Sequence, residues 1–440
     1  MLPDEAFIPG ACENCPDWQD DPGAYEFVAT LVGGIVLDQG TQLGDAGDML
    51  AALDADGNIR GVAVQLSPPF GPYAGSTLYE MTMRSNGAGD ILYFKYYDAS
   101  QDAILDIAGS YTFVINEQLG DVINPYVLNI SYAIDMTFNL IAGYNWISFN
   151  VTPDDNSLAT MLAPLGDDAL FIISQTSGSA TNYGEYGWFG SLENLENTEM
   201  YKIEMANNRE LIITGVPVDV ASTPINLIAG YNWIGYTPQN AGPLPEALAS
   251  LGDDALFMNS QVDGASTNYG EYGWFGSLET LQPGTGYLLE MEAPGVLIYP
   301  DFNGLTRTIH NKKPVELTST ISDWDFNYAE YQFSGVITTA IENRIDSEDD
   351  IVAVFVDGIC RGIAERMYFP FDDSYYYIIQ VYSNVAEGEE MTFKYYDKAN
   401  DEVVEYTETI EFTNNMVIGD GFNTIPLSRE ARIAPEEYRL

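Results

Sequence analysis

The sequence predicts a mainly β protein. Two immunoglobulin-like or jelly-roll-like β-sandwich modules flank two tandem small β-rich α+β repeats, in the order A-B-B-A. Internal duplication is the first observation behind this. The run Thr-Asn-Tyr-Gly-Glu-Tyr-Gly-Trp-Phe-Gly-Ser-Leu at 181–192 returns letter for letter at 267–278; residues 139–147 recur at 226–234, and 165–171 at 251–257. A second, more diverged duplication brackets the first. Phe-Lys-Tyr-Tyr-Asp at 94–98 matches 393–397, Arg60-Gly61 matches Arg361-Gly362, Asp48 and Ala51 parallel Asp350 and Ala353, and Trp18 with Tyr25 parallels Trp324 with Tyr331. The third observation is the spacing of short alternating segments between Gly, Asp, Asn and Pro, which is an antiparallel β pattern.

Taken in order, module A1 (1–136) has strand-like segments at 25–31, 49–53, 59–64, 78–83, 91–97 and 111–115. So many short strands favour a sandwich. In repeats B1 (137–217) and B2 (218–302), Trp146 and Trp233 lie in short apolar strands. One short helix per repeat follows, at 157–163 with Ser157 as N-cap and at 244–250 with Pro245 in the first turn. Strands resume at 169–175, 200–205 and 211–214, and at 255–261, 286–291 and 296–299. Module A2 (303–440) repeats the A pattern at 331–338, 351–356, 361–365, 375–382, 391–396 and 403–412. Linkers fall at 215–224 and 300–314. The second of these holds Arg307, His310, Lys312 and Lys313, the only basic cluster, which reads as a solvated linker between acidic modules.

Composition narrows the function classes. Sixteen Lys and Arg against 66 Asp and Glu give a formal charge of -50 over 440 residues, so nucleic acid and anionic lipid are repelled as partners. Hydrophobic residues are 46% of the chain and aromatics 13%, enough to fold four modules rather than leave a disordered acidic tail. Such a surface suits a saline or calcium-containing exterior, where ions screen self-repulsion. No long apolar run is present and the start lacks signal-peptide features, so the expectation is a protein without direct membrane insertion, whose leader has been removed if it is exported.

Catalysis finds little footing. With His310 the one histidine, Ser-His-Asp and Cys-His machinery has nothing to build on elsewhere, and neither a phosphate loop nor a nucleophile elbow occurs. Of three cysteines, Cys12 and Cys15 are expected to form a disulfide in the N-terminal lead-in, while Cys360 stands opposite Ile59 of A1 and reads as buried and free. The Cys-x-x-Cys pair is half a zinc site with no second half.

Two sets of residues are candidate sites. Tyr183, Tyr186 and Trp188, with Phe189, recur as Tyr269, Tyr272 and Trp274, with Phe275. Aromatic rings among glycines suit an exposed loop that stacks on sugar faces, and two such loops would give avidity on a polysaccharide; the same residues also read as core. Exposed, coplanar Trp188 and Trp274 would favour sugar, and buried ones assembly. Asp346, Glu348, Asp349 and Asp350 form a run dense in oxygen ligands, an irregular calcium site or a solvated loop. The run Asp54-Ala-Asp-Gly-Asn58 has its glycine one place early for an EF-hand and is expected to be a hairpin turn.

The A pattern, a Trp before an aromatic strand followed by Asp-x-x-Ala, Arg-Gly-x-Ala and Phe-Lys-Tyr-Tyr-Asp, resembles modules of large secreted proteins exported by type IX secretion in gliding-type Gram-negative bacteria. The B pattern, from Gly-Tyr-Asn-Trp-Ile to Trp-Phe-Gly-Ser-Leu and Gly-Thr-Gly-Tyr, resembles repeats of the same class, and residues 432–440 are similar to the connector before a C-terminal sorting domain that is absent here. The resemblance implies an extracellular or cell-surface location and no shared activity. The expectation is a non-enzymatic structural or adhesive protein with no certain cofactor, which self-associates into a filament or layer or binds other cell-surface proteins. Strand edges, the residues 12–21 and the tail 429–440 are the expected docking elements. An array of polysaccharide-binding modules is the rival reading.

Overall fold

The computed structural model describes residues 16–38, 40–302, 315–342 and 349–428. The fold is mainly β. Two compact units divide it, one of residues 1–135 with 151–153 and 214–223, the other holding the remainder. Among the described residues no helix is long and apolar enough to cross a membrane. Cys12, Cys15, the basic cluster at 307–313, Asp346, Glu348 and the tail lie outside the described residues. Cys360 is free and buried, and burial pushes its thiol up to about 12.

In A2 two sheets face each other. One runs Met367–Phe369, Ser374–Ser383, Phe333–Ile341, with Val417–Ile418 and Ile425–Leu427 parallel to the last; the other runs Ile359–Glu365, Ile351–Val356, Glu387–Asp397, Glu402–Thr413. Alternate residues of both fill one core, among them Ile337, Val352, Val354, Ile379, Val381, Phe393 and Phe412. A1 keeps these pairings, from Phe27–Asp38 against Leu78–Ser85 to Ile91–Asp98 against Ala103–Thr112. There, however, Ile130↔Ile107 joins the two halves into a single continuous strand path.

The diverged duplication is a folding motif, and each of its letters has a physical task. Phe94 and Phe393 enter the cores. Lys95 and Lys394 point outward to pair with Asp106 and Glu405, both at 2.9 Å. Tyr96 and Tyr395 are buried and donate their hydroxyls to the buried carboxylates of Asp48 and Asp350, which also accept the Ala99 and Lys398 N–H groups at 2.8 and 3.0 Å. Tyr97 and Tyr396 donate to Asp102 (2.7 Å) and Asp401 (2.8 Å), and Asp98 and Asp397 accept turn N–H groups. Arg60 and Arg361 lie over the rings of Tyr25 and Tyr331 at 4.4 and 4.6 Å. The glycine after each arginine permits close backbone approach, since a Cβ would meet Thr82 O at 2.6 Å in A1 and Gln380 O at 2.2 Å in A2. Removing the Tyr395 hydroxyl (Tyr395→Phe) leaves the buried Asp350 with one donor fewer and is expected to cost about 1–2 kcal/mol. A loss under about 0.3 kcal/mol in urea unfolding would show that the bond carries no stability.

The acidic hairpin reading of 54–58 holds. Asp54 accepts N–H groups from Asp56 (3.1 Å) and Asn58 (2.8 Å) and pairs with Arg60 at 2.9 Å. These bonds hold its carboxyl below the usual range even though burial acts the other way.

Each B repeat is a five-stranded sheet. In B1 the order is Gly143–Ile147, Tyr201–Met205, Ala169–Ser174, Ser179–Asn182, Trp188–Gly190; in B2 it is Gly230–Ile234, Tyr287–Met291, Ala255–Ser260, Ala265–Asn268, Trp274–Gly276. The expected helices shrink to one α turn, Leu158–Met161 and Leu244–Ala247, and each is followed by a 3-10 segment, Ala163–Asp168 and Ala249–Asp254. The α turns end at Leu162 and Leu248, and Gly166 (φ 55°) and Gly252 (φ 57°), in the left-handed region, kink the 3-10 segments that follow. Ser157 occupies the N-cap position without a side-chain cap bond; its hydroxyl donates to Thr160 Oγ1 at 2.9 Å.

The exposed edges of the two B sheets protect each other. Gln261 of B2 accepts the Trp146 N–H (2.8 Å) and donates to Tyr144 O (2.7 Å); Gln175 of B1 accepts the Trp233 N–H (2.6 Å) and donates to Tyr231 O (2.7 Å). Backbone bonds obey the same exchange, Ser148 N–H to Gly284 O and Gly235 N–H to Thr198 O. The repeats are therefore related by a pseudo-two-fold, in which each glutamine amide completes a strand edge that would otherwise be open to another chain. At this interface Lys202 is buried between the Trp146 and Trp233 rings, 4.4 and 4.5 Å from their centroids. The matching position in B2 is Leu288.

Candidate functional site: the duplicated aromatic loop

The twelve identical residues fold identically. In B1 the strand Ser179–Asn182 leads into a 3-10 turn, Gly184–Tyr186, and returns as Trp188–Gly190; B2 repeats this with Ala265–Asn268, Gly270–Tyr272 and Trp274–Gly276. Gly187 and Gly273, both at φ 78°, allow the reversal that closes Tyr183 N–H to Gly187 O and Tyr269 N–H to Gly273 O at 2.9 Å. Asn182 and Asn268 each donate to the first carbonyl of the loop's supporting strand, Ala169 O and Ala255 O, at 2.8 Å. The loop is thus a rigid, locally determined platform.

Its surroundings differ between the copies, although Tyr272 of the B2 loop stays 56% exposed. In B2, Tyr269 packs on Phe369, Phe371 and Phe422 with ring centroids at 5.4, 6.0 and 5.4 Å, and its hydroxyl accepts the Gly421 N–H at 2.7 Å. Tyr272 packs on Phe371 at 5.1 Å, and Phe275 on Phe369 and Tyr376 at 5.1 and 6.1 Å. Beneath the loop, Phe257 and Ala265 cluster with Val336 and, around them, Leu256, Ile378 and Val417. Gln380 donates to Asn259 Oδ1 (3.0 Å), and Tyr382 to Gln261 O (2.6 Å). The B2 loop is a plug seated in an aromatic cup of A2.

In B1 the same side chains face solvent. Tyr183 is 60% exposed, Tyr186 72% and Phe189 59%. Tyr183 and Phe189 meet only edge to face, at 5.7 Å. The two tryptophans meet neither expectation cleanly, since Trp188 and Trp274 are both half-buried. Trp274 lines an open groove of about 500 Å³ with Leu244, Pro245, Phe275 and Thr280.

The acidic candidates split up. Asp349 pairs with Lys398 at 3.2 Å, while Asp350 turns inward to hold Tyr395, so these neighbours do not converge. Among the described residues no group of acids, cysteines and histidines is arranged to hold a metal ion. Asp168 accepts from Asn207 at 2.7 Å and pairs with Arg209, a structural use at the end of the 3-10 segment.

Three groups escape a reading of the sequence alone, namely the cup of Phe369, Phe371 and Phe422, the edge-capping Gln175 and Gln261, and Lys202. Only the last carried a signal, as the one lysine at a repeat position whose twin is leucine. The chain matches no protein-family model, no curated protein and no solved structure.

Proposed function

We propose that this chain is a non-enzymatic, extracellular structural or adhesive protein whose β-rich modules assemble through their faces into a surface filament or layer. The observation that carries this reading is the use of the B2 loop. The one aromatic platform whose occupant is visible is filled by protein, ring on ring, and not left open as a sugar-binding face. The reciprocal capping of the B edges adds support, because it makes a stiff double repeat that transmits load between neighbours. The resemblance to type IX secretion modules supports an extracellular location.

Negative-stain microscopy of the full chain, with and without millimolar calcium, tests this. Filaments or lattices are the expected result, and dispersed monomers under both conditions would overturn it. Polysaccharide binding is the second reading, favoured by the exposed Tyr183, Tyr186 and Phe189 and by the groove beside Trp274. Retention on a glycan array that is lost in Tyr186→Ala would select it.

A further inference from the structure

Resting on that reading, we infer that copies of this chain join head to tail, the B1 loop of one seating in the A1 cup of the next. The chain carries two plugs; A2 presents a full cup, already engaged by B2, and A1 keeps two of its three aromatic-cup positions apolar at the surface, with Pro68 where A2 has the floor residue Phe369. The remaining plug is the exposed B1 loop, identical in sequence and backbone to the seated one.

The remaining cup is traced by register. Counting from Arg60-Gly61 and Arg361-Gly362, Pro69-Phe70 stands where A2 has Pro370-Phe371. Asp121 accepts the N–H groups of Ile123 and Asn124 just as Asp420 accepts those of Phe422 and Asn423, which places Ile123 at the position of Phe422 and the Val122 N–H at that of Gly421. Phe70 is 70% exposed and Ile123 57%. In A2, Phe371 is half-buried against the B2 loop, and Phe422, still 50% exposed, packs its ring on Tyr269; their A1 counterparts stand open beside a backbone turn that repeats the A2 geometry.

The A1 cup is the weaker of the two. Thr30, Glu80 and Gln118 stand where A2 places Val336, Ile378 and Val417 under the loop. Less apolar surface is available, so the contact between copies dissociates on dilution whereas the internal one does not. Plug and cup are different surfaces, so the contact is heterologous and propagates into an open chain. With a net charge of -50 per copy, it also requires salt to screen repulsion.

Sedimentation velocity of the full chain, across concentration and in low and high salt, tests this with two surface variants. Tyr183→Ser/Phe189→Ser removes the plug, and Phe70→Ser/Ile123→Ser removes the cup; all four side chains are exposed, so both variants are expected to keep the wild-type Tm. Wild type should form a ladder of oligomers that grows with salt, and each variant should weaken self-association by about tenfold or more. Mixed together, the two variants should form a dimer that goes no further, because one retains only the cup and the other only the plug. Association of the cup variant at wild-type strength, or failure of the mixture to pair, would overturn the head-to-tail contact while leaving assembly itself intact. A wild-type chain that remains monomeric at every concentration and salt overturns both.

Discussion

Phe369→Ala is expected to destabilise the protein by about 3–5 kcal/mol, the cost of emptying a large aromatic site in a packed core. Phe369 is fully buried and its ring lies within 5.4 Å of five others, those of Tyr269, Phe275, Phe371, Tyr376 and Phe422. It is the floor on which the B2 loop sits, so the loss falls on the B2 contact as well as on A2 itself. The matched control is Phe189→Ala, the B1 counterpart of Phe275, where the change should stay within about 0.5 kcal/mol because that ring touches no cup. Phe275→Ala in the seated copy should cost about 2–4 kcal/mol. Urea unfolding followed by tryptophan fluorescence reads all three. Equal losses for Phe189→Ala and Phe275→Ala would mean that the two loops are energetically alike and that seating contributes nothing.

That pair of substitutions also marks how far the sequence reaches. Duplication exposes modules because a repeated string must fold the same way twice, and the loop does so down to its glycine angles. Environment is another matter. Nothing within residues 267–278 distinguishes the seated loop from the free one; the difference lies in Phe369, Phe371 and Phe422, about a hundred residues or more away, and in a β fold such long-range pairings leave little local trace. Asp350 makes the complementary point. Read along the chain it is the end of an acidic run and a candidate calcium ligand, and its parallel with Asp48 marks it as part of the A duplication without naming its partner; only the folded sheet brings it to the Tyr395 hydroxyl. The apolar spacing of 157–163 and 244–250 suits a longer helix than the single α turns that form, each of which passes at Leu162 or Leu248 into a 3-10 segment.

Lys202 gives the second large effect, and its sign is opposite. Burial pushes its ammonium down to about 7 from 10.5, which weighs about 4–5 kcal/mol against the charged form. The two indole faces favour the cation and return about 1–3 kcal/mol. Lys202→Leu, which copies the residue B2 carries at this place, is therefore expected to stabilise the B pair by about 2–3 kcal/mol near neutral pH. Between pH 7 and 10.5 the unfolded chain holds a proton on this lysine that the folded chain has released, so wild-type stability climbs with pH through that window. Below pH 7 both states are protonated and the full penalty applies. The advantage of the leucine variant should accordingly be greatest at pH 6–7 and fade toward pH 10, as read from urea midpoints of both proteins across that range. A gain that is flat with pH would mean the effect comes from packing alone, and a loss at pH 7 would mean that the indole-ammonium sandwich outweighs desolvation and that Lys202 holds the two repeats together.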